Sequence, residues 1–94
     1  MNKSELIQKV ADELNLTKQS TSEVLDALLT NITHELTQRN KVSLIGFGTF
    51  ETRFRPERIG VNPQTGEEIT IASSFTPSFK AGKSFKEAVN HKII

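Results

Sequence analysis

Residues 58 to 70, RIGVNPQTGEEIT, lie between two β-prone runs and carry almost none of the apolar side chains that would fold them onto a body. A hairpin of this kind takes its residues out of the core. About 70 residues then remain to build the body, a size at which one core seldom contributes more than about 3 to 5 kcal/mol. No cysteine is present to staple so small a body, which removes disulfides and thiolate metal sites together.

Ahead of the hairpin the pattern is helical. Leu6, Ile7, Val10, Ala11 and Leu14 recur at the spacing that lays one apolar stripe along a helix, with Ser4 as the expected N-cap. Thr17 is the expected cap of a second helix. Its stripe of Val24, Leu25, Leu28, Leu29, Ile32 and Leu36 runs for about five turns until QRNK ends it.

From Val42 the period changes to two, with Val42 and Leu44 alternating with Lys41 and Ser43. Gly46 and Gly48 flank Phe47, as suits a tight reversal that needs positive φ or close backbone approach. They do not make a phosphate cradle, because neither a strand-to-helix context nor a P-loop lysine follows GFGTF. Thr52 to Val61 and Glu68 to Phe75 read as the strands of the hairpin, joined by NPQTG, where Pro63 presets φ and Gly66 takes the left-handed position. A last helix is expected over residues 82 to 90, with Phe85, Ala88 and Val89 on one face and Lys83, Lys86 and Lys92 off it.

Four phenylalanines, Phe47, Phe50, Phe79 and Phe85, join the six aliphatic residues of the second helix, more apolar surface than so small a body encloses. The expectation is an obligate dimer whose shared core draws on Leu28, Leu29, Ile32, Leu36, Leu44, Phe47, Phe50 and Phe79. A compact monomer is the competing reading.

The formal net charge of the 94 residues is only +1, but it is unevenly placed. Residues 1 to 40 hold four basic against six acidic side chains, and the remainder holds eight against five. Such polarity admits an anionic partner on the C-terminal half, although a solvated mixed surface explains it equally well. No run of 18 apolar residues exists to cross a membrane, and MNKSELIQKV has no apolar segment leading to a cleavage site, so a cytoplasmic location is expected.

Catalysis has little to work with. His34 and His91 have no Cys or Ser/Asp partner in sequence, Glu67 and Glu68 point to opposite faces of a strand, and Asp12 with Glu13 makes no dyad on a helix. No metal-ligand spacing is present either, so the expectation is a non-enzymatic protein with no metal, cofactor or small-molecule substrate.

Nucleic acid fits better. Arg53 and Arg55 share one face of a strand, and Arg58 lies further toward the tip, an arrangement that can present guanidinium groups to successive phosphates or to a minor groove. Ten residues at about 3.3 Å each give an arm roughly 30 Å long, close to the ~34 Å rise of a DNA turn. Pro63 at the tip has two readings, an ordinary turn former or an apolar wedge that kinks DNA. Lys3, Lys80, Lys83 and Lys86 are candidate phosphate contacts on the body, or plain solvated charge.

At these residues a resemblance becomes specific. GFGTFETRFRPERIGVNPQTG, residues 46 to 66, resembles the signature segment of the bacterial HU and integration host factor family, with Gly46, Phe47, Phe50, Arg55, Arg58, Gly60, Asn62, Pro63 and Thr65 at the family's spacing. MNKSELI at the start and PSFKAGKSFKEAV at residues 77 to 89 are similar to the family as well. The resemblance implies an α+β fold: an intertwined dimer with an N-terminal two-helix hairpin, a three-stranded antiparallel sheet extended into a β-ribbon arm, and a short C-terminal helix. It implies one HU-like DNA-binding domain over residues 1–94. Residues 1–40 would be the helical dimerisation part, and residues 41–94 the sheet, the arm at about 53–75 and the last helix.

By the same resemblance Pro63 is the intercalating tip, with Asn62 and Gln64 beside it. Arg53, Arg55 and Arg58 line the arm, and Lys3, Lys80, Lys83 and Lys86 are the candidate phosphate contacts on the body. The implied function is largely sequence-independent binding and bending of double-stranded DNA by a histone-like, nucleoid-associated homodimer. Family members often carry a basic residue where this chain has Val61 and again near Glu67, so the arm's three arginines face Glu57, Glu67 and Glu68. Two alternatives remain: a sequence-preferring subunit of an integration-host-factor-like heterodimer, and a dimeric interaction protein with weakened DNA binding.

Overall fold

In a computed structural model, residues 1–91 are described, and Lys92, expected off the apolar face of the last helix, lies outside them. The order of elements is α1 (Lys3–Leu14), α2 (Lys18–Thr37), β1 (Val42–Leu44), β2 (Gly48–Arg55), β3 (Arg58–Val61), β4 (Glu68–Ile71), β5 (Ser74–Ala81) and α3 (Lys83–Val89). This is the expected α+β succession. The chain divides into two compact units, the first ending at His34 and the second beginning at Glu35.

In the first unit, α1 is capped by Asn2, whose Oδ1 accepts the Glu5 N–H at 2.9 Å. Ser4 therefore lies inside the helix and not at its cap, because Asn2 offers the same side-chain acceptor one position before Lys3. Asn15 stops α1 in the left-handed region at φ 56°, with the Leu16 N–H reaching Ala11 O at 2.8 Å. Thr17 caps α2 as expected, its Oγ1 accepting the Ser20 N–H at 3.1 Å. Leu6, Ile7, Val10, Leu14, Val24 and Leu25 face one another across an apolar groove, with Lys3 Nζ bound to Asp26 Oδ1 at 2.6 Å.

In the second unit, α2 ends in a double bond pattern: Arg39 N–H to Leu36 O at 3.0 Å and Asn40 N–H to Glu35 O at 2.9 Å, with Arg39 left-handed at φ 64°. β1, β2 and β5 then form an antiparallel sheet in the order β1-β2-β5. The turn from β1 into β2 is closed by the Phe47 N–H on Leu44 O at 2.9 Å. Gly46 supplies the positive φ there, and Gly48 the close approach: a Cβ on Gly48 would sit 2.6 Å from Lys80 O and from the Phe79 ring.

Two expected boundaries move. The hairpin strands are not continuous: pairing stops at Arg55 opposite Ser74 and resumes at Arg58 opposite Ile71. Pro56 lacks the N–H a ladder needs, which accounts for the gap on that strand. The returning strand also runs further than its expected end at Phe75, since β5 pairs with β2 as far as Ala81. Pro77 is tolerated in it because β5 is an edge strand.

Around this sheet the aromatic rings collect. Phe47 stacks on Phe85 of α3 at 4.5 Å, Phe79 lies 5.3 Å from Phe47 and 4.8 Å from Phe50, and each such pair is worth about 0.5 to 1.5 kcal/mol beyond its burial. Yet Phe47 and Phe79 remain 43% and 39% exposed, and among the described residues only Ala11 and Leu36 are buried apolar side chains. One chain does not close its own core.

Candidate nucleic-acid interface

The β2–β5 register sorts the side chains into two faces. Successive residues of a strand point to opposite sides, and directly paired residues share a side. Phe50↔Phe79, Thr52↔Pro77 and Phe54↔Phe75 therefore stand on one face, and Thr49↔Lys80, Glu51↔Ser78, Arg53↔Thr76 and Arg55↔Ser74 on the other. The second face is polar throughout and basic.

Glu51 is its single carboxylate, 15% exposed at the side chain, lying 3.6 Å from Lys41 Nζ and 3.9 Å from Lys80 Nζ. Lys41 was not among the expected contacts; its alternation with Val42 and Leu44 was the signal that placed it on this side. Across the break, Arg53, Arg55, Pro56, Arg58, Ile71 and Ser74 border an open concavity of about 510 Å³ at the root of the arm.

The candidate cations fall into two groups. Lys3, Lys80 and Lys83 each already hold a carboxylate: Asp26, Glu51 and, at 4.0 Å, Glu87. Among the described residues Arg53, Arg55, Arg58 and Lys86 have no ion-pair partner, so their charge is available to an incoming anion. All four are exposed.

At the tip, Asn62 organises the turn. Its Oδ1 accepts the Gln64 N–H at 2.9 Å, its main-chain O accepts the Gly66 N–H at 2.7 Å, and its own N–H donates to Glu67 O at 2.8 Å. Gly66 takes the left-handed position at φ 74°, and the Glu67 N–H meets Thr65 Oγ1 at 3.3 Å. Pro63 and Gln64 are held exposed at the apex by these bonds. The Asn62 carbonyl oxygen is thus spent on the turn, which leaves its amide group for any contact outside.

A basic face, an exposed proline apex and an apolar opposite face are joined in one ribbon. The sequence profile described as "Bacterial DNA-binding protein" matches residues 1–90. The chain belongs to this family, that of HU. It is 51% identical over 90 residues to DNA-binding protein HU-beta 2 of Neisseria meningitidis, covering 96% of this chain and 99% of that one. It is 49% identical to HU-beta of Escherichia coli K12, across 96% of this chain and all of that protein. Among solved structures, the Anabaena HU–DNA cocrystal matches with a TM-score of 0.90 at 43% identity, over 96% of this chain and 98% of that one. A V42I mutant of HU from Thermotoga maritima matches at 0.72 and 33% identity, over 96% of this chain and all of that one. Proteins of the HU family are non-enzymatic and bind DNA.

Proposed function

We propose that this HU-family chain binds and bends double-stranded DNA as a homodimer, largely without regard to sequence, in the cytoplasmic nucleoid. The observation that carries the reading is the register of β2 on β5, which gathers Arg53, Arg55 and Lys80 on one face against Glu51 alone, with Lys41 joined to that face through Glu51. Contacts to phosphates carry no sequence information, so a face of this composition grips any duplex.

The homodimer is supported by what one chain leaves uncovered. Leu28, Leu29, Leu44, Phe47 and Phe79 are between 39% and 57% exposed, while Ile32 and Phe50 are half-buried. A second copy covers these residues in each unit and brings a second arm, so that two apices meet one duplex. Pro63 then acts as the wedge: a ring without an N–H to desolvate enters between base pairs, and unstacking costs only a few kcal/mol, offset by backbone contacts on the bent DNA.

Charge is graded along the arm. Arg53 and Arg55 stand at its root, whereas its outer part holds Arg58 against Glu57, Glu67 and Glu68. Phosphate contacts therefore concentrate at the root, with Arg58 the outermost, and Lys86 supplies an unpaired charge from α3.

The test is a duplex titration at several salt concentrations joined to a fluorescence-transfer measurement of bend angle. Arg58→Ala should weaken binding on every sequence and lower the salt slope by about 0.9. Pro63→Ala should lose bending more than affinity. Equal bending by the wild type and Pro63→Ala rejects the wedge, and sedimentation of a folded monomer at micromolar concentration rejects the dimer.

A further inference from the structure

Arg39 occupies the position after α2 where the backbone turns left-handed, at φ 64°. Glycine is the usual occupant of such a helix stop, because a Cβ there crowds the neighbouring carbonyl. The arginine side chain makes three contacts from this strained position. Its Nη1 donates to Leu36 O and to Thr37 O, both at 3.3 Å, and its guanidinium carbon lies 3.6 Å from the centre of the Phe75 ring.

Phe75 is the direct cross-strand partner of Phe54, with ring centres 5.2 Å apart. Within one chain the two rings are 49% and 58% exposed, so the contacts that hold them there are each other and the Arg39 guanidinium. Their place on the ladder matters. β1 accompanies β2 only as far as the Val42↔Phe50 pair, so from Glu51 outward the ribbon has two strands. The Phe54↔Phe75 pair is the last but one before pairing stops at Arg55↔Ser74. Arg39 thus grips the ribbon where its third strand has gone and before its ladder breaks.

We propose that Arg39 is a positioning residue for the arm: pinned to the carbonyls that end α2, it clamps the Phe54–Phe75 pair and sets the direction in which the ribbon leaves the sheet. It acts through Phe75 and does not touch DNA. The proposal rests on the reading of the ribbon as the DNA-binding arm, and an arm already directed loses less freedom when it closes on a duplex.

The chain has no cysteine, so Gln64→Cys gives one dye site at the apex of each arm, and substoichiometric labelling keeps to one dye per dimer. Time-resolved anisotropy of the labelled free protein then reads arm motion without DNA. Arg39→Gly suits the left-handed backbone and should keep or raise the melting temperature, while the amplitude of nanosecond tip motion rises about twofold. On unlabelled protein its duplex affinity should fall by about two- to fivefold, the worth of one exposed cation–π contact. Arg39→Lys keeps the charge without the flat stacking surface, so it should resemble Arg39→Gly in tip motion. Phe75→Leu should do the same, and the double variant Arg39→Gly/Phe75→Leu should move no further than either single change.

Unchanged tip anisotropy in Arg39→Gly overturns the proposal. So does an Arg39→Lys protein indistinguishable from wild type, which would make Arg39 a simple charge. Absence of duplex binding by wild type would instead defeat the functional reading, and the anisotropy result stands apart from it.

Discussion

Glu51→Gln should make this protein bind DNA more tightly. The carboxylate is the only acidic group on the basic face and shares itself between Lys41 at 3.6 Å and Lys80 at 3.9 Å. At roughly 7 Å from a phosphate, with an effective dielectric of about 40 to 80, one such charge repels by about 0.6 to 1.2 kcal/mol. That is about three- to sevenfold in affinity. Releasing one or two lysines to phosphates should also steepen the logarithmic salt slope by about 0.9 to 1.8. Each added contact then enlarges the loss of affinity between about 50 and 200 mM salt by roughly 3.5-fold.

The assay is fluorescence anisotropy of a labelled duplex titrated at three salt concentrations. Both lysines are mostly exposed, at 71% and 67%, so the pairs contribute no more than about 1 kcal/mol to folding, and a thermal melt checks that the variant remains folded. Affinity and slope equal to wild type, with the fold intact, would refute the idea that the β2–β5 face meets the phosphates.

Two further outcomes follow from local geometry. Gly48→Ala should destabilise by about 1 to 3 kcal/mol, because its Cβ would fall 2.6 Å from the main-chain oxygen of Lys80, which has little room to yield; an unchanged denaturation midpoint would contradict this. Asn2→Ala should cost about 1 kcal/mol through loss of the α1 cap, and Ser4→Ala much less, a ranking that paired urea melts can read.

The helices were legible because their apolar residues repeat over many turns, a signal that survives ignorance of what they pack on. The start of α1 was less so, since Asn2 and Ser4 are both good caps and only the backbone decides between them. β5 carries a period-two signal in Phe75, Pro77, Phe79 and Ala81, but proline at its centre obscured it until β2 was seen to pair along its whole length. Reading Thr52 to Val61 as one strand misses the break at Pro56, although the proline itself carries the signal. The ion pairs that occupy Lys3 and Lys80 were not readable, because Asp26 and Glu51 lie 23 and 29 positions away from them along the chain. Arg39 was hidden for another reason: sequence rules expect glycine at a left-handed helix stop and give no warning when an arginine with three partners replaces it.

The gap at Pro56 and Glu57 is matched by an equal gap at Ala72 and Ser73, so pairing resumes at Arg58↔Ile71 without slipping by a residue. A joint built this way adds no length to either strand. The apex therefore stays the same number of residues from the sheet on both strands, and the turn at Asn62 to Gly66 sits at the centre of one register that runs from Gly48 to the tip and back to Ala81.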